Sequence, residues 1–160
     1  MLLLLGVSAC VFVMDGASKA LASALLKGES LTVLDGLLVL RLTHNDGMAL
    51  GMMSGNQLAN LLLPLAVIVG GWFLLSHYAP TPYTRTASGL ILGGFLGNFL
   101  QRLFVGHVVD MLYFPFMPWF VCNVADIAIC GGVAMLVVSI FFRPGDWRER
   151  HEKDGANRPS

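Results

Sequence analysis

The stretch FVCNVADIAICGGVAMLVVSIFF, residues 120–142, decides the fold. It is an apolar run longer than the roughly 20 helical residues needed to cross a hydrocarbon core about 30 Å thick. It carries two polar residues near its start, Asn123 and Asp126, and no basic residue beside them. An isolated segment in lipid must satisfy its backbone internally, so the run reads as a transmembrane helix. A carboxylate roughly 6–9 Å into such a helix, at 1.5 Å per residue, is either protonated or shares its proton with a partner.

Working outward, three more stretches have the same character: 2–26, 58–78 and 84–104. The composition agrees, with 56% hydrophobic and 12% charged residues against the roughly 25% charged of soluble domains. Mean hydropathy is +0.71. The fold expected is an all-α membrane protein of four transmembrane helices. Residues 1–142 form one membrane domain, and 143–160, polar with Pro and Gly, form a disordered tail. The 27–57 connection carries alternating and β-branched stretches at 31–34 and 38–43, and the Asn45-Asp46-Gly47 turn signal. It predicts a small external β-sheet between helices one and two, lying on the membrane.

Basic residues near the helix ends set the orientation. Arg85, Arg143, Arg148, Arg150, Lys153 and Arg158 fall on one side, and Lys27, Arg41 and Arg102 on the other. Six against three puts both termini in the cytoplasm and the two long connections outside. Val7-Ser8-Ala9-Cys10 has the look of a cleavage and lipidation signal, but no basic residue precedes it and its apolar lead is too short.

In this topology the polar residues converge. Asp15, Lys19, Asn98, Arg102, Asp110, Asn123 and Asp126, from four separate segments, fall at similar depth near the outer interface. Intramembrane polar groups are costly, and so many at one depth suggest a shared site. Alternatives stay open for individual members. Asp15 and Lys19, four apart, can be a structural ion pair, Arg102 can snorkel to the headgroups, and Asn98 and Asn123 can simply link helices. Asp126 is harder to dismiss, and Asp110 is its expected partner. Two close carboxylates hold one proton between them, which suits a general base on water and an acid on a carbonyl.

Other chemistries find less support. There is no HExxH or GxSxG, and Cys10, Cys122 and Cys130 form no metal or disulfide spacing. The four histidines, His44, His77, His107 and His151, are read as lying on different segments and sides. No metal and no cofactor are expected. Zero net charge gives no reason to expect nucleic acid. A transport path needs polar residues through the full depth, and helix two is read as apolar up to His77, which speaks against a transporter.

At these residues the chain resembles the lipoprotein signal peptidases, the signal peptidase II family. Asp15-Gly16-Ala17-Ser18-Lys19 is similar to the family's D-x-x-S/T-K, and Asn45-Asp46-Gly47-Met48-Ala49-Leu50-Gly51 to its N-x-G-A-A-F. Residues 93–102, with Asn98 and Arg102, resemble G-G-A-x-G-N-x-x-D-R. Gly106–Asp110 resembles G-x-V-x-D, and Asn123-Val124-Ala125-Asp126 resembles N-x-A-D.

The resemblance implies a membrane aspartic endopeptidase with Asp110 and Asp126 as the catalytic pair. Asn45, Asn98, Arg102 and Asn123 would hold the substrate, and Asp15 with Lys19 would support the site. The implied substrates are diacylglyceryl-modified prolipoproteins, cut before the lipidated Cys at the outer face of a bacterial inner membrane. The expected partners are these substrates and membrane lipid, with the enzyme a monomer. Gln101, Met48, Leu50 and Cys122 depart from the family pattern. They suggest a divergent paralogue, and they motivate the alternative of a catalytically silent binder of lipidated substrates.

Overall fold

The computed structural model describes residues 1–47 and 56–149. Its helices are α1 (Leu2–Leu25), α2 (Gln57–Ser76), α3 (Pro82–Val105) and α4 (Val124–Phe142). Each is long and apolar enough to cross a membrane. Their outward faces are apolar, with Leu2 at 88% and Phe104 at 79% exposure, as a bilayer solvent requires.

Local chemistry sets the helix ends. Thr81 and Thr84 form a reciprocal capping box at the start of α3, with Pro82 in its first turn. Gly106 ends that helix at φ 86°, a left-handed geometry that suits glycine. Asn56 caps α2, accepting from the Ala59 N–H at 3.1 Å. Asn123 and Asp126 cap each other at the start of α4.

Helix α3 lies between α1 and α4 because its packing faces carry glycine. Gly89, Gly93 and Gly97, four apart, face α1; a Cβ on Gly93 would sit 2.5 Å from the Ser8 carbonyl oxygen. Gly94 of α3 and Gly132 of α4 allow the same closeness on the other side. Membrane helices associate through such small-residue contacts, since lipid supplies no hydrophobic drive between them. Helix α2 is attached more loosely, and Asn60 is its one buried residue.

Four antiparallel strands, β1 (Ser30–Leu34), β2 (Leu38–Asn45), β3 (Val108–Tyr113) and β4 (Val121–Cys122), form one sheet in chain order. Met111 packs with Ala22 and Leu26, and Leu40, Leu42 and Leu112 complete this core, so the sheet sits on the end of α1. Thr43 pairs with Asp110 and Leu112 with Cys122 across the ladder.

Three expectations are corrected. The sheet is not confined to the connection between helices one and two: β3 and β4 come from the α3–α4 connection. The last helix begins at Val124, not Phe120, because Val121 and Cys122 are spent on β4 and Asn123 caps the helix. Residues 143–149 are ordered rather than a disordered tail. Pro144–Trp147 form a 3-10 turn, and the Ala79 N–H donates to the Arg148 carbonyl at 2.9 Å. Asp146 accepts from Arg143 Nε at 2.7 Å and Ser139 Oγ at 2.8 Å. The hydrogen-bonded guanidinium holds its carboxyl below the usual range. Residues 150–160 lie outside the described residues. Met1, Tyr78 and Trp147 line one cavity, so the residue before α1 and the turn after α4 lie at the same end of the bundle. The sheet occupies the other.

Candidate active site

At the sheet end, β3 delivers Asp110 and the first turn of α4 delivers Asp126. Asp110 is 2% exposed, and Asp126 is half-buried. Asp110 Oδ2 accepts from Asn45 Nδ2 at 2.9 Å and its Oδ1 from Asn123 Nδ2 at 2.6 Å. Asp126 Oδ1 accepts from Asn98 Nδ2 at 2.8 Å and its Oδ2 from the Asn123 backbone N–H at 3.1 Å. Asn123 therefore touches both carboxylates, one through its side chain and the other through its backbone.

The amides are oriented by their neighbours. Lys19 is donor-only, and its Nζ lies 2.8 Å from Asn98 Oδ1, so that oxygen must face it. The Asn98 NH₂ is then left pointing at Asp126. Asn123 Oδ1 accepts from the Asp126 N–H at 3.0 Å, which turns its own NH₂ toward Asp110. Lys19 Nζ lies 2.7 Å from Asp15 Oδ2, and the other Asp15 oxygen accepts from the Ala125 N–H at 3.0 Å. The pair is nearly solvent-free, at 5% and 1% side-chain exposure, so neither charge is spare.

Among the described residues neither Asp110 nor Asp126 has a direct ion pair; each receives amide donors. Burial pushes the Asp110 carboxyl up to about 6, against the lowering pull of Asn45, with the Asp126 charge adding to the rise. A carboxyl in that range can hold or release a proton near neutrality. Burial, with the nearby Asp126 and Asp110 charges, pushes the adjacent Cys122 thiol up to about 12, leaving it neutral and a poor nucleophile. A cavity of about 180 Å³ opens on Asp110, lined by Thr43, Asn45, Trp119 and Phe120 among others.

The structure thus joins Asp15, Lys19, Asn45, Asn98, Asp110, Asn123 and Asp126 in one hydrogen-bonded chain. Arg102 stands at its edge: Nη2 donates to the Gly47 carbonyl at 2.9 Å, and Nε is buried without a partner among the described residues. The Gln101 side chain is engaged by β3 rather than by the Arg102 side chain. Its Oε1 accepts from the Val109 N–H at 3.1 Å, pinning the strand one residue before Asp110. Asn45 Oδ1 accepts from the Gly47 N–H at 3.0 Å, the expected turn. Met48 and Leu50 lie outside the described residues.

Two readings from the sequence are corrected. Helix α2 is not without polar residues before His77: Asn60 is 2% exposed and donates to the Asp46 carbonyl at 2.7 Å, tethering α2 to the Asn45 turn. An amide in the first turn of an apolar helix was the available signal. His44 and His107 are not apart; their rings meet edge-on at 4.6 Å. Among the described residues no three His, Cys, Asp or Glu side chains gather as a metal-holding group.

Fold and site together define a multi-pass membrane protein with two carboxylates bridged by one asparagine at the end of a four-helix bundle. Residues 7–142 match the family model described as signal peptidase (SPase) II. The chain is 35% identical over 164 residues to a lipoprotein signal peptidase of Mycobacterium avium (strain 104), covering 98% of this chain and 88% of that one. It is 34% identical over 134 residues to that of Syntrophomonas wolfei, covering 80% of this chain and 86% of the other. A solved structure described as a bacterial membrane enzyme superposes with a TM-score of 0.76 at 22% identity, over 96% of this chain and 90% of that chain. A second gives 0.74 at 23%, over 86% and 91% respectively. The chain belongs to the signal peptidase II family.

Proposed function

We propose that this protein removes signal peptides from diacylglyceryl-modified prolipoproteins, cutting the bond before the lipidated Cys, with Asp110 and Asp126 sharing one proton over a catalytic water. The ionised carboxyl takes a proton from the water as it attacks the scissile carbonyl. The protonated one donates toward the developing oxyanion. The tetrahedral intermediate then collapses, and the amine leaves with a proton returned from the pair.

The observation that carries this reading is Asn123, which sets Asp110 at 2.6 Å from its side chain and Asp126 at 3.1 Å from its backbone. Two carboxylates held by one residue, with no cation among the described residues bonded to either, favour a shared proton over two charges. Asn45, Asn98 and Arg102 border the pair and would engage the substrate backbone, with Asp15 and Lys19 as support. The six-against-three distribution of basic residues along the sequence favours termini in the cytoplasm and a site facing the periplasm. A substrate anchored by acyl chains would present its scissile bond at that interface.

The test uses purified protein with a lipidated lipobox peptide and its unlipidated counterpart. Cleavage before the modified Cys, absent without the diacylglyceryl group, is the expected result. Equal cleavage of both peptides overturns the substrate assignment. Capture of the lipidated peptide with no cleavage overturns the protease reading in favour of a silent binder.

A further inference from the structure

At the end of the bundle opposite the carboxylates, the loose packing of α2 leaves a cavity of about 500 Å³. Its wall is apolar: Gly71 and Leu75 from α2, Ile91 from α3 and Leu136 from α4. That volume lies in the range of about 300–1,000 Å³ that holds small ligands. An open apolar space between helices in a bilayer fills with lipid chain, since packed interiors do not sustain voids of this size.

The rim of the cavity is not apolar. Arg85, in the first turn of α3, lines it, and its guanidinium makes no hydrogen bond or ion pair among the described residues. Asp146 lines it too, but its carboxylate is engaged by Arg143 and Ser139 and does not neutralise Arg85. The indole Nε1–H of Trp147, also on the lining, is buried without a partner among the described residues. A guanidinium and an indole N–H without partners among the described residues, beside an apolar chamber, call for a ligand with a negatively charged acceptor on an apolar chain.

We propose that this cavity is a binding site for one anionic phospholipid, with an acyl chain in the α2–α3–α4 chamber and its phosphate on Arg85 and Trp147. Arginine engages phosphate through paired, charge-assisted hydrogen bonds. Basic pockets between transmembrane helices select anionic headgroups by this means. Charge also argues against the other apolar occupant a peptidase of this kind meets, a signal helix. Its basic leading segment would meet Arg85 and Arg143 at the same end. The lipid site is independent of the carboxylates and of the proposed reaction.

The experiment is native mass spectrometry of the full chain released from micelles containing phosphatidylglycerol or phosphatidylcholine of matched chains. Wild type, Arg85→Gln and Gly71→Phe are compared. A Cβ on Gly71 meets nothing within 4 Å, so the phenyl ring enters the chamber without a backbone clash. Wild type is expected to retain phosphatidylglycerol about tenfold over phosphatidylcholine, for a single charge-assisted contact pair. Arg85→Gln should equalise the two, and Gly71→Phe should lower retention of both. Unchanged thermal unfolding of both variants in lipid-free detergent shows that they are folded.

Equal retention of both lipids by wild type, or a preference that survives Arg85→Gln, overturns the proposal. So does inorganic phosphate that raises the unfolding temperature as much as phosphatidylglycerol does. Displacement of bound phosphatidylglycerol by one equivalent of an unlipidated signal peptide would give the cavity to substrate instead.

Discussion

The Ala125 N–H on α4 donates to Asp15 Oδ1 on α1 at 3.0 Å, one residue before Asp126. The carboxylate of a helix-one aspartate thus serves as an anchor for the first turn of the helix that carries a proposed catalytic group. The negative charge also suits the N-terminal end of α4, where unpaired N–H groups and the helix dipole favour it. Lys19 neutralises the same carboxylate from 2.7 Å and orients Asn98 toward Asp126. The pair therefore acts on the site through two separate routes, one to the α4 backbone and one through Asn98 of α3.

Removing one charge should be worse than removing both. Lys19→Met strands a buried Asp15, at a cost of about 3–5 kcal/mol. Asp15→Asn with Lys19→Met removes that penalty and should recover part of the lost stability. Thermal unfolding in detergent measures it; equal losses for the single and double variants would contradict the coupling.

Gly97 makes room for the Asp15 carboxylate, into which a Cβ at that position would run. Gly97→Ala should therefore destabilise by about 1–3 kcal/mol through overpacking. Gly16→Ala, where a Cβ meets nothing within 4 Å, should be neutral or slightly stabilising in the same helix pair.

Asp110 carries a pH dependence of known sign. Its carboxyl is raised to about 6 in the fold, from an ordinary value of 3.8. The raised group favours the folded state fully below about 4, and the benefit is lost as pH rises through about 6. Wild type should lose on the order of 2 kcal/mol from this source between pH 4 and pH 7. Asp110→Asn removes the titrating group, so its unfolding temperature should fall less over that interval. An identical fall in the two proteins would remove Asp110 as the cause.

Gln101 holds the β3 backbone through the Val109 N–H, and the oxygen rather than a charge is what that bond requires. Gln101→Leu should lower kcat on the order of tenfold while leaving a folded protein, since a small displacement of a reacting group has such effects. Gln101→Glu keeps the acceptor and should retain most of kcat, with the pH profile moved upward by the added negative charge. Two equally impaired variants would mean that position 101 matters for packing alone.

The four spans and the strands after α1 were legible because apolar length and β-branched alternation are local signals. Val121 and Cys122 were not, since a short strand inside a longer apolar run has no periodicity to tell it from helix. Asn123, followed three residues later by Asp126, marked the true helix start and could have separated them. The glycine spacing 89, 93, 97 carries the α1–α3 interface, a signal as local as the spans themselves. Convergence of the polar residues was readable from depth alone. Asn60, the His44–His107 contact and the role of Gln101 depend on which backbone groups come within reach, which no spacing in one chain encodes.

Kinetics of Asp110→Asn, Asp126→Asn and the double variant on a lipidated lipobox peptide bear most directly on the shared proton. If the carboxyls act as one unit, each single variant should lose a thousandfold or more, on the order of general acid–base catalysis as a whole, and the double variant should lose little further. Near-wild-type turnover by either single variant, or losses that multiply in the double, would contradict a pair working on a common water.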